Sequence, residues 1–472
     1  MAAAIGRYVT QRPHNATRRP GSGEPFGADP GRRPGHGHGA HAGGTSILQR
    51  DGAPQAAPST TRNGNDRRRG ARYPCGAPPS PPVHARADST ETSVTRQQPA
   101  VLRDGTPIAP LPKVSLHDHL DGGLRPQTII ELADEIGIDL PEGDALALAR
   151  WFADQADSGS LVEYLKTFDV TTAVMQTRQG LRRVARDFVL DLAADGVIYG
   201  EVRWAPEQHL ARGLSLDETV DAVQEGIEQG IDAVRHSGHR IRVGQIVSAM
   251  RHAGDGREIA ELALRHRDRG VVGFDIAGPE HGFPPSLLQP SFDLLASEHF
   301  PVTVHAGEAD GLESIRGALD DARALRLGHG VRLAEDIEVD DEGDDDATFV
   351  TLGPLARWVR DRRIPLELSP SSNLQTGAIE QWGDELFDHP FDLLYQLGFT
   401  VTVNTDNRLM SATTITRELQ LLSDAFDYDL DDLLTFQLNA AEAAFLPVER
   451  RDELADLIED GFDDVADGVT AE

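Results

Sequence analysis

The sequence is poor in the residues that would indicate a cross-linked or membrane-embedded protein. Cys75 is the single cysteine in 472 residues, so the chain cannot form an internal disulfide or a thiolate-rich zinc, haem or iron–sulfur site. No apolar run approaches the roughly 20 residues that a membrane-spanning helix needs. The N-terminus also lacks the apolar core of a secretory signal, which makes the cytoplasm the expected location.

Charge is divided unevenly along the chain. Residues 1–100 contain 14 arginines, no lysine and 6 acidic residues, whereas the whole chain carries a formal net charge of -32. The rest of the chain is therefore strongly acidic, and it would repel nucleic acid and anionic membranes. We expect a small-molecule partner, with no nucleic acid and no membrane. The residues give no basis for an oligomeric state.

Composition divides the chain into three parts. Residues 1–106 are rich in Arg, Gly and Pro and show no sustained apolar periodicity, which predicts a disordered tail. Residues 107–455 carry the pattern of a folded domain. Residues 456–472 are predicted to form an acidic C-terminal tail.

Within the central part, short apolar strands alternate with helical segments, as in a parallel α/β fold. Eight strands are predicted: Val114–His119, Ile198–Trp204, Val243–Ser248, Val271–Ala277, Val302–Ala306, Leu325–Val331, Pro365–Ser369 and Thr400–Asn404. This number over about 340 residues predicts a (β/α)8 TIM barrel with insertions, and a doubly wound open sheet is the alternative. The acidic segment 339–347 is expected to be a solvated loop rather than a calcium site.

Histidines and carboxylates stand at several of the predicted strand ends, where catalytic groups lie in a TIM barrel. His117 and His119 are two residues apart on a strand, so both side chains point to the same face. His305 and Asp406 end two other strands and can converge with them on the barrel axis. Three imidazoles and one carboxylate suit Zn2+, with one position left open for water.

Two further residues beside these strand ends suit catalysis. Glu308 follows His305 by three residues, a position from which it cannot easily ligate the same metal but can donate a proton. His329 lies between two glycines, where a backbone can pass close to a ligand. Many barrel hydrolases hold two metals through a carboxylated lysine, but Lys113 and Lys166 are the only lysines and neither ends a strand. One Zn2+ per chain is therefore expected.

Several motifs in order resemble those of the adenosine deaminases, a branch of the metal-dependent hydrolase superfamily. They are LPKVSLHDHLDGGLRP (111–126), YGEVRWAP (199–206), FDIAGPE (274–280), HAGE (305–308), GHG (328–330), SPSSNLQTG (369–377) and NTDN (404–407). Together they span residues from about 111 to about 447, nearly the whole acidic body. A chance match of so many separate motifs in the same order is very improbable.

The resemblance implies a role for each candidate residue. Zinc would be held by His117, His119, His305 and Asp406. Glu308 would protonate N1 of adenine, and His329 would orient the hydroxide that attacks C6. Adenosine would then give inosine and ammonia in purine salvage, and 2′-deoxyadenosine would give 2′-deoxyinosine and ammonia. The same resemblance places the substrate against four residues: His119 and Asp121 near the ribose, the Gly278 backbone against the purine, and Asn407 at the purine edge.

Three alternatives remain open at this stage. Deaminases of free adenine tend to carry Glu at the position of Asp121, where this sequence has the adenosine-like residue. N6-substituted adenylate would need a basic cluster for its phosphate, which the motifs lack. An inactive nucleoside-binding relative would require a damaged site, whereas every ligand and the acid are present. The sequence does depart from the family at Asn407, where a second aspartate is usual, and this affects how the purine edge is read.

Overall fold

The computed structural model describes residues 99–157, 159–340 and 349–470. Its strands are β1 Lys113–His119, β2 Val197–Trp204, β3 Arg242–Met250, β4 Val271–Ala277, β5 Thr303–Ala306, β6 Arg326–His329, β7 Ile337–Asp340, β8 Phe349–Leu352, β9 Leu366–Leu368 and β10 Val401–Val403. All strands but β7 and β8 pair in parallel, in the orders β1-β2-β3-β4 and β10-β9-β6-β5.

Two parallel bridges join the edges of these two sheets. Asp118 at the end of β1 pairs with Asp406 just after β10, and Phe274 in β4 pairs with Val302 just before β5. The eight parallel strands therefore close into a barrel. This confirms the predicted (β/α)8 TIM barrel and excludes the open doubly wound sheet.

Helices surround the barrel and cover one of its ends. They are α1 Pro126–Ile136, α2 Ala145–Ala156, α3 Leu161–Tyr164, α4 Phe168–Val174, α5 Arg178–Ala194, α6 Leu216–His236, α7 Arg257–His266, α8 Gln289–Ser297, α9 Leu312–Asp320, α10 Pro354–Asp361, α11 Pro370–Gln375, α12 Phe391–Gln396, α13 Ile415–Phe426, α14 Leu430–Ala443 and α15 Val448–Thr470. Several of them begin at side-chain caps, as at Ser215, which forms a capping box with Glu218 before α6. Within the described ranges, no helix is long and apolar enough to cross a membrane.

The predicted N-terminal boundary at residue 106 is wrong by several residues. The tail prediction for residues 1–98 lies outside the described part of the chain. Residues 99–106, however, are packed: Leu102 is buried, and its amide donates a 2.8 Å hydrogen bond to the carbonyl of Thr106. The sequence missed this segment because it contributes only isolated apolar residues rather than a periodic run.

The predicted C-terminal tail is also wrong as far as residue 470. Helix α15 runs through the expected boundary without a break, and Ile458 and Phe462 on it are buried. These residues follow Leu454 at intervals of four, so one apolar stripe faces the barrel although the composition is acidic.

The acidic segment predicted as a loop over 339–347 is partly structured. Strands β7 and β8 pair antiparallel on either side of it, with Val339 opposite Val350. Residues 341–348, which contain most of its carboxylates, lie outside the described residues. The prediction of a loop is therefore wrong at Val339 and Asp340, which belong to β7.

Candidate active site

The four residues predicted to hold a metal meet at the C-terminal ends of the barrel strands. One ligand atom from each of His117, His119, His305 and Asp406 lies within 4.8 Å of the others. Asp406 Oδ1 is 3.3 Å from His117 Nε2 and 3.2 Å from His119 Nε2, and the Nε2 atoms of His119 and His305 are 3.2 Å apart. Ligands 2.0–2.1 Å from a tetrahedral metal are about 3.3 Å from one another, so the spacing fits a single ion.

Buried carboxylates set the tautomers of two of these histidines. His117 Nδ1 donates to Glu367 Oε2 at 3.1 Å, and His305 Nδ1 lies 2.8 Å from Asp275 Oδ2. With the proton on Nδ1, each ring turns a bare Nε2 toward the centre of the cluster. Unprotonated imidazole nitrogens and a carboxylate oxygen then face each other at close range. Their lone pairs repel one another, and a cation bound between them would remove this repulsion.

Burial keeps these imidazoles in the form that binds metals. It lowers the pKa of His305, and it lowers the pKa of His119 well below its ordinary value. Both rings are therefore neutral at physiological pH. A neutral imidazole is the state that ligates a divalent metal.

The carboxylate beneath His117 belongs to a buried network inside the barrel. Glu367 on β9 accepts hydrogen bonds from Arg203 at 2.7 Å and from the hydroxyl of Thr303 at 3.1 Å, and lies 2.6 Å from Arg326 Nε. Although burial opposes it, the two arginines hold the pKa of Glu367 well below its ordinary value. The carboxylate therefore stays charged while fully buried, and it fixes the first metal ligand from behind.

Close packing around the cluster requires glycine. A Cβ atom on Gly328 would lie 3.0 Å from His305 Cα and 3.2 Å from His117 Cε1. A Cβ on Gly122 would lie only 1.9 Å from Oδ1 of Asn407. Side chains at these two positions would push the ligands and Asn407 out of place.

Glu308 and His329 lie directly beside the four ligands. Their side-chain atoms and those of Asp406 lie within 4.8 Å of one another, and His329 Nε2 is 3.6 Å from Glu308 Oε2. Burial, reinforced by the charge of Asp406, raises the pKa of Glu308 well above its ordinary value. A raised pKa favours the protonated carboxyl group, which is the form that can donate a proton.

Glu308 is carried by a loop that Glu280 anchors. The Glu280 carboxylate accepts hydrogen bonds from four consecutive backbone amides, those of residues 307–310, at 2.6–3.1 Å. The loop that follows β5 is thus fixed at every residue around Glu308. The sequence placed Glu280 at a strand end but did not predict this function.

His329 and Asp406 both adopt a backbone conformation that L-residues rarely take. Their φ angles are 59° and 55°, in the left-handed region. His329 is also buried, and its Nδ1 accepts a hydrogen bond from Asn373 Nδ2 at 2.9 Å. The surrounding contacts therefore hold both side chains against a local conformational preference.

A cavity of about 310 Å³ opens above this cluster. Its wall contains every residue that the sequence analysis placed against substrate: His119, Asp121, Gly278 and Asn407. The insertion between α1 and α5 supplies an apolar side, including Leu161, Tyr164, Leu165 and Phe168. Three of the four predicted metal ligands, the predicted acid and the predicted substrate contacts thus border one cavity.

Several functional residues were not predicted. They are Glu367, Arg203, Arg326, Ser372, Asn373 and His389. The one available signal was charge inside apolar strands: Glu367 stands in a three-residue apolar strand, and Arg203 precedes the end of β2. Complementary charges in neighbouring buried strands indicate an internal network, because an unpaired charge there would be too costly.

The fold and the site are those of a barrel enzyme whose strand ends carry a cluster that could hold a metal ion. Sequence comparison identifies the family. The profile of the adenosine deaminase family matches residues 112–461. "Adenosine deaminase 1" of Streptomyces coelicolor is 54% identical over 378 residues, covering 79% of this chain and 93% of that protein. The adenosine deaminase of Mycobacteroides abscessus is 52% identical over 357 residues, covering 75% and 96%.

A more distant relative of known structure shares the fold. The N6-mAMP deaminase of Arabidopsis aligns with a TM-score of 0.62 and 26% identity, covering 75% of this chain and 99% of that one. The chain belongs to the adenosine deaminase family. It is a hydrolytic deaminase.

Proposed function

We propose that the protein is a zinc-dependent adenosine deaminase, which converts adenosine and 2′-deoxyadenosine to inosine or 2′-deoxyinosine and ammonia. One observation carries this proposal: Glu308, the buried Asp121 and three of the four clustered residues, His119, His305 and Asp406, border the same cavity. The reaction would serve purine salvage.

Four residues would hold the metal: His117, His119, His305 and Asp406. The set of three neutral imidazoles and one carboxylate suits zinc, whose Lewis acidity would make water a nucleophile at neutral pH. The donor set disfavours calcium and magnesium, which prefer oxygen ligands.

Glu308 supports the proton transfer that this reaction needs. Adenine N1 must gain a proton before C6 becomes electrophilic, and a carboxyl group with a raised pKa is a suitable donor. The Glu280 anchor holds the loop in place while the acid acts. His329 and Asp406 lie beside Glu308, where they would orient the attacking water.

Asp121 supports a nucleoside rather than a free base. It is buried, and within the described part of the chain its Oδ1 has no hydrogen-bond partner, the nearest imidazole nitrogen being His119 Nδ1 at 3.8 Å. A ribose hydroxyl would satisfy this acceptor, whereas adenine would leave it unpaired. Gly278 and Asn407 would contact the purine.

The lack of lysine and arginine in the described cavity wall supports a nucleoside rather than a nucleotide. The described residues that line the cavity include five acidic side chains, those of Asp121, Asp169, Glu280, Glu308 and Asp406, and no lysine or arginine. A phosphate group brought into this cavity would meet negative charge without a partner. This property disfavours adenylate and its N6-substituted forms.

The test is ammonia release from adenosine, 2′-deoxyadenosine, adenine, AMP and N6-methyl-AMP. We expect adenosine to be preferred by orders of magnitude, activity to vanish after chelation, and Zn2+ to restore it with one equivalent bound. Preference for adenine or a nucleotide would show that the nucleoside assignment is wrong. Two bound equivalents, or full activity without metal, would contradict the mononuclear zinc site.

A further inference from the structure

A line of buried polar side chains leads from the reaction centre to the segment before α12. It joins His329, Asn373 and His389, whose exposed fractions are 1%, 0% and 3%. Asn373 lies on α11 and His389 just before α12, so neither comes from a barrel strand. Of the three, only His329 lines the cavity.

A backbone amide at the outer end of this line determines which group donates and which accepts in each of its hydrogen bonds. Phe391 N–H can only donate, and it donates to His389 Nδ1 at 3.0 Å. His389 Nδ1 must therefore be an acceptor, which leaves the ring proton on Nε2. Burial lowers the pKa of His389 to about 3, so the ring stays neutral.

The same reasoning fixes the orientation of the Asn373 amide. His389 Nε2–H donates to Asn373 Oδ1 at 3.2 Å, which turns the amide nitrogen toward the reaction centre. Asn373 Nδ2 then donates to His329 Nδ1 at 2.9 Å. An imidazole whose Nδ1 accepts a hydrogen bond carries its proton on Nε2.

We propose that His389 and Asn373 are positioning residues that hold His329 in its Nε2–H tautomer, so that His329 donates a hydrogen bond into the reaction centre. The proposal rests on the function proposed above. His329 Nε2 lies 3.6 Å from Glu308 Oε2 and beside Asp406, where the attacking water would lie. A donor there holds the water oxygen in one orientation. The opposite tautomer would present a lone pair instead.

Asn373→Asp is the sharpest test, because aspartate has nearly the same shape but cannot donate. The residue would still accept from His389, but His329 Nδ1 would now face a carboxylate oxygen and take the proton itself. We expect kcat for adenosine to fall about 10²- to 10³-fold, as when one preorganised donor is lost. KM should change little, because neither residue lines the cavity.

His389 offers a matched pair of variants. His389→Phe removes the donor that orients the Asn373 amide, and we expect kcat to fall about 5- to 30-fold. His389→Gln can still accept from Phe391 and donate to Asn373, so it should recover much of that loss. His266→Phe replaces a buried histidine on α7, outside the cavity, and should leave kcat unchanged.

The tautomer itself is read by ¹⁵N NMR of histidine-labelled, zinc-loaded protein, with His329 signals assigned by their loss in His329→Gln. We expect a protonated Nε2 in the wild type and a protonated Nδ1 in Asn373→Asp. A wild-type His329 protonated at Nδ1, or an Asn373→Asp enzyme with wild-type kcat, would overturn the proposal. Because the spectrum needs no turnover, failure of the protein to deaminate adenosine would refute the proposed function without deciding the tautomer.

Discussion

Ser372 Oγ donates a 2.6 Å hydrogen bond to Asp406 Oδ2, while Oδ1 of the same carboxylate faces the imidazoles of His117 and His119. The two oxygens of Asp406 thus have separate partners. The hydroxyl fixes the plane of the carboxylate, and so fixes the oxygen that would ligate the metal.

We therefore expect Ser372→Ala to weaken zinc binding by about 10- to 100-fold, as for other residues that orient a metal ligand. Competition with a chromophoric chelator measures this directly. Ser423→Ala is the matched control, because the Ser423 hydroxyl donates to the backbone carbonyl of Leu419 on α13 and lies outside the cavity wall. Its zinc affinity should equal that of the wild type. Equal zinc affinity in Ser372→Ala and the wild type would contradict the expected role of the hydroxyl.

Glu308→Gln should abolish proton donation while keeping the shape of the side chain. We expect kcat to fall about 10²- to 10⁴-fold with zinc content unchanged. The raised pKa of Glu308 also predicts a pH effect: the acid is protonated below that pKa, so wild-type activity should decline as pH rises through it.

The measurement is the pH dependence of kcat for adenosine in both enzymes. In Glu308→Gln the residual activity should lack the alkaline decline that Glu308 causes. A wild-type profile that rises steadily with pH would show that Glu308 does not act as a proton donor.

Glu367→Gln should destabilise the fold, because it removes one of the two buried carboxylates that pair with each of Arg203 and Arg326, the others being Asp275 and Glu201. We expect a loss of about 1–3 kcal/mol in the free energy of unfolding. Urea denaturation of the metal-free protein measures it. An unchanged free energy of unfolding would mean that Asp275 and Glu201 suffice to balance the two arginines.

The same residue predicts sensitivity to acid. Its folded pKa is lower than the unfolded value of about 4.3, so its contribution to stability is present above pH 4.3. That contribution is lost as the pH falls through the folded pKa. The difference in stability between the wild type and Glu367→Gln should therefore shrink below about pH 4.

Asp121→Ala should erode the preference for adenosine over adenine. The loss should come mainly from adenosine, because only the nucleoside has a hydroxyl for this carboxylate. The ratio of kcat/KM for the two substrates measures the effect. An unchanged ratio would assign ribose recognition to another residue.

Asn407 should recognise purine N7. Its Oδ1 is packed against Gly122, which leaves the amide nitrogen to face substrate, and N7 accepts hydrogen bonds. In 7-deazaadenosine carbon replaces N7, so the wild type should lose about 1–3 kcal/mol, or about 5- to 150-fold in kcat/KM. In Asn407→Ala this discrimination should largely collapse. If it persists, Asn407 serves only the turn after β10.

The sequence predicted the barrel and the four residues that cluster at its strand ends because both depend on a pattern of strands and the residues that end them. A strand that ends in His117 and His119 directs both side chains to one face, and barrel closure brings that face to His305. The supporting residues could not be predicted in the same way. Asn373 and His389 are 16 residues apart and belong to no strand, so only the folded chain shows that they reach His329.

The ends of the domain were mispredicted for a different reason. Phe462 and Ile458 sit in a strongly acidic segment, and average composition hid an apolar stripe only one residue wide. Such a helix is stabilised by packing against the barrel, and average composition contains no information about packing.

The left-handed backbone at His329 and Asp406 has a consequence for the engineering of this enzyme. Each conformation costs on the order of 1–2 kcal/mol for an L-residue, a strain that glycine would relieve. A library selected only for resistance to heat would therefore tend to accept glycine at these two positions and yield robust, inert proteins. Any such selection needs to be coupled to turnover, because thermal tolerance and catalysis impose opposing demands on the same backbone angles.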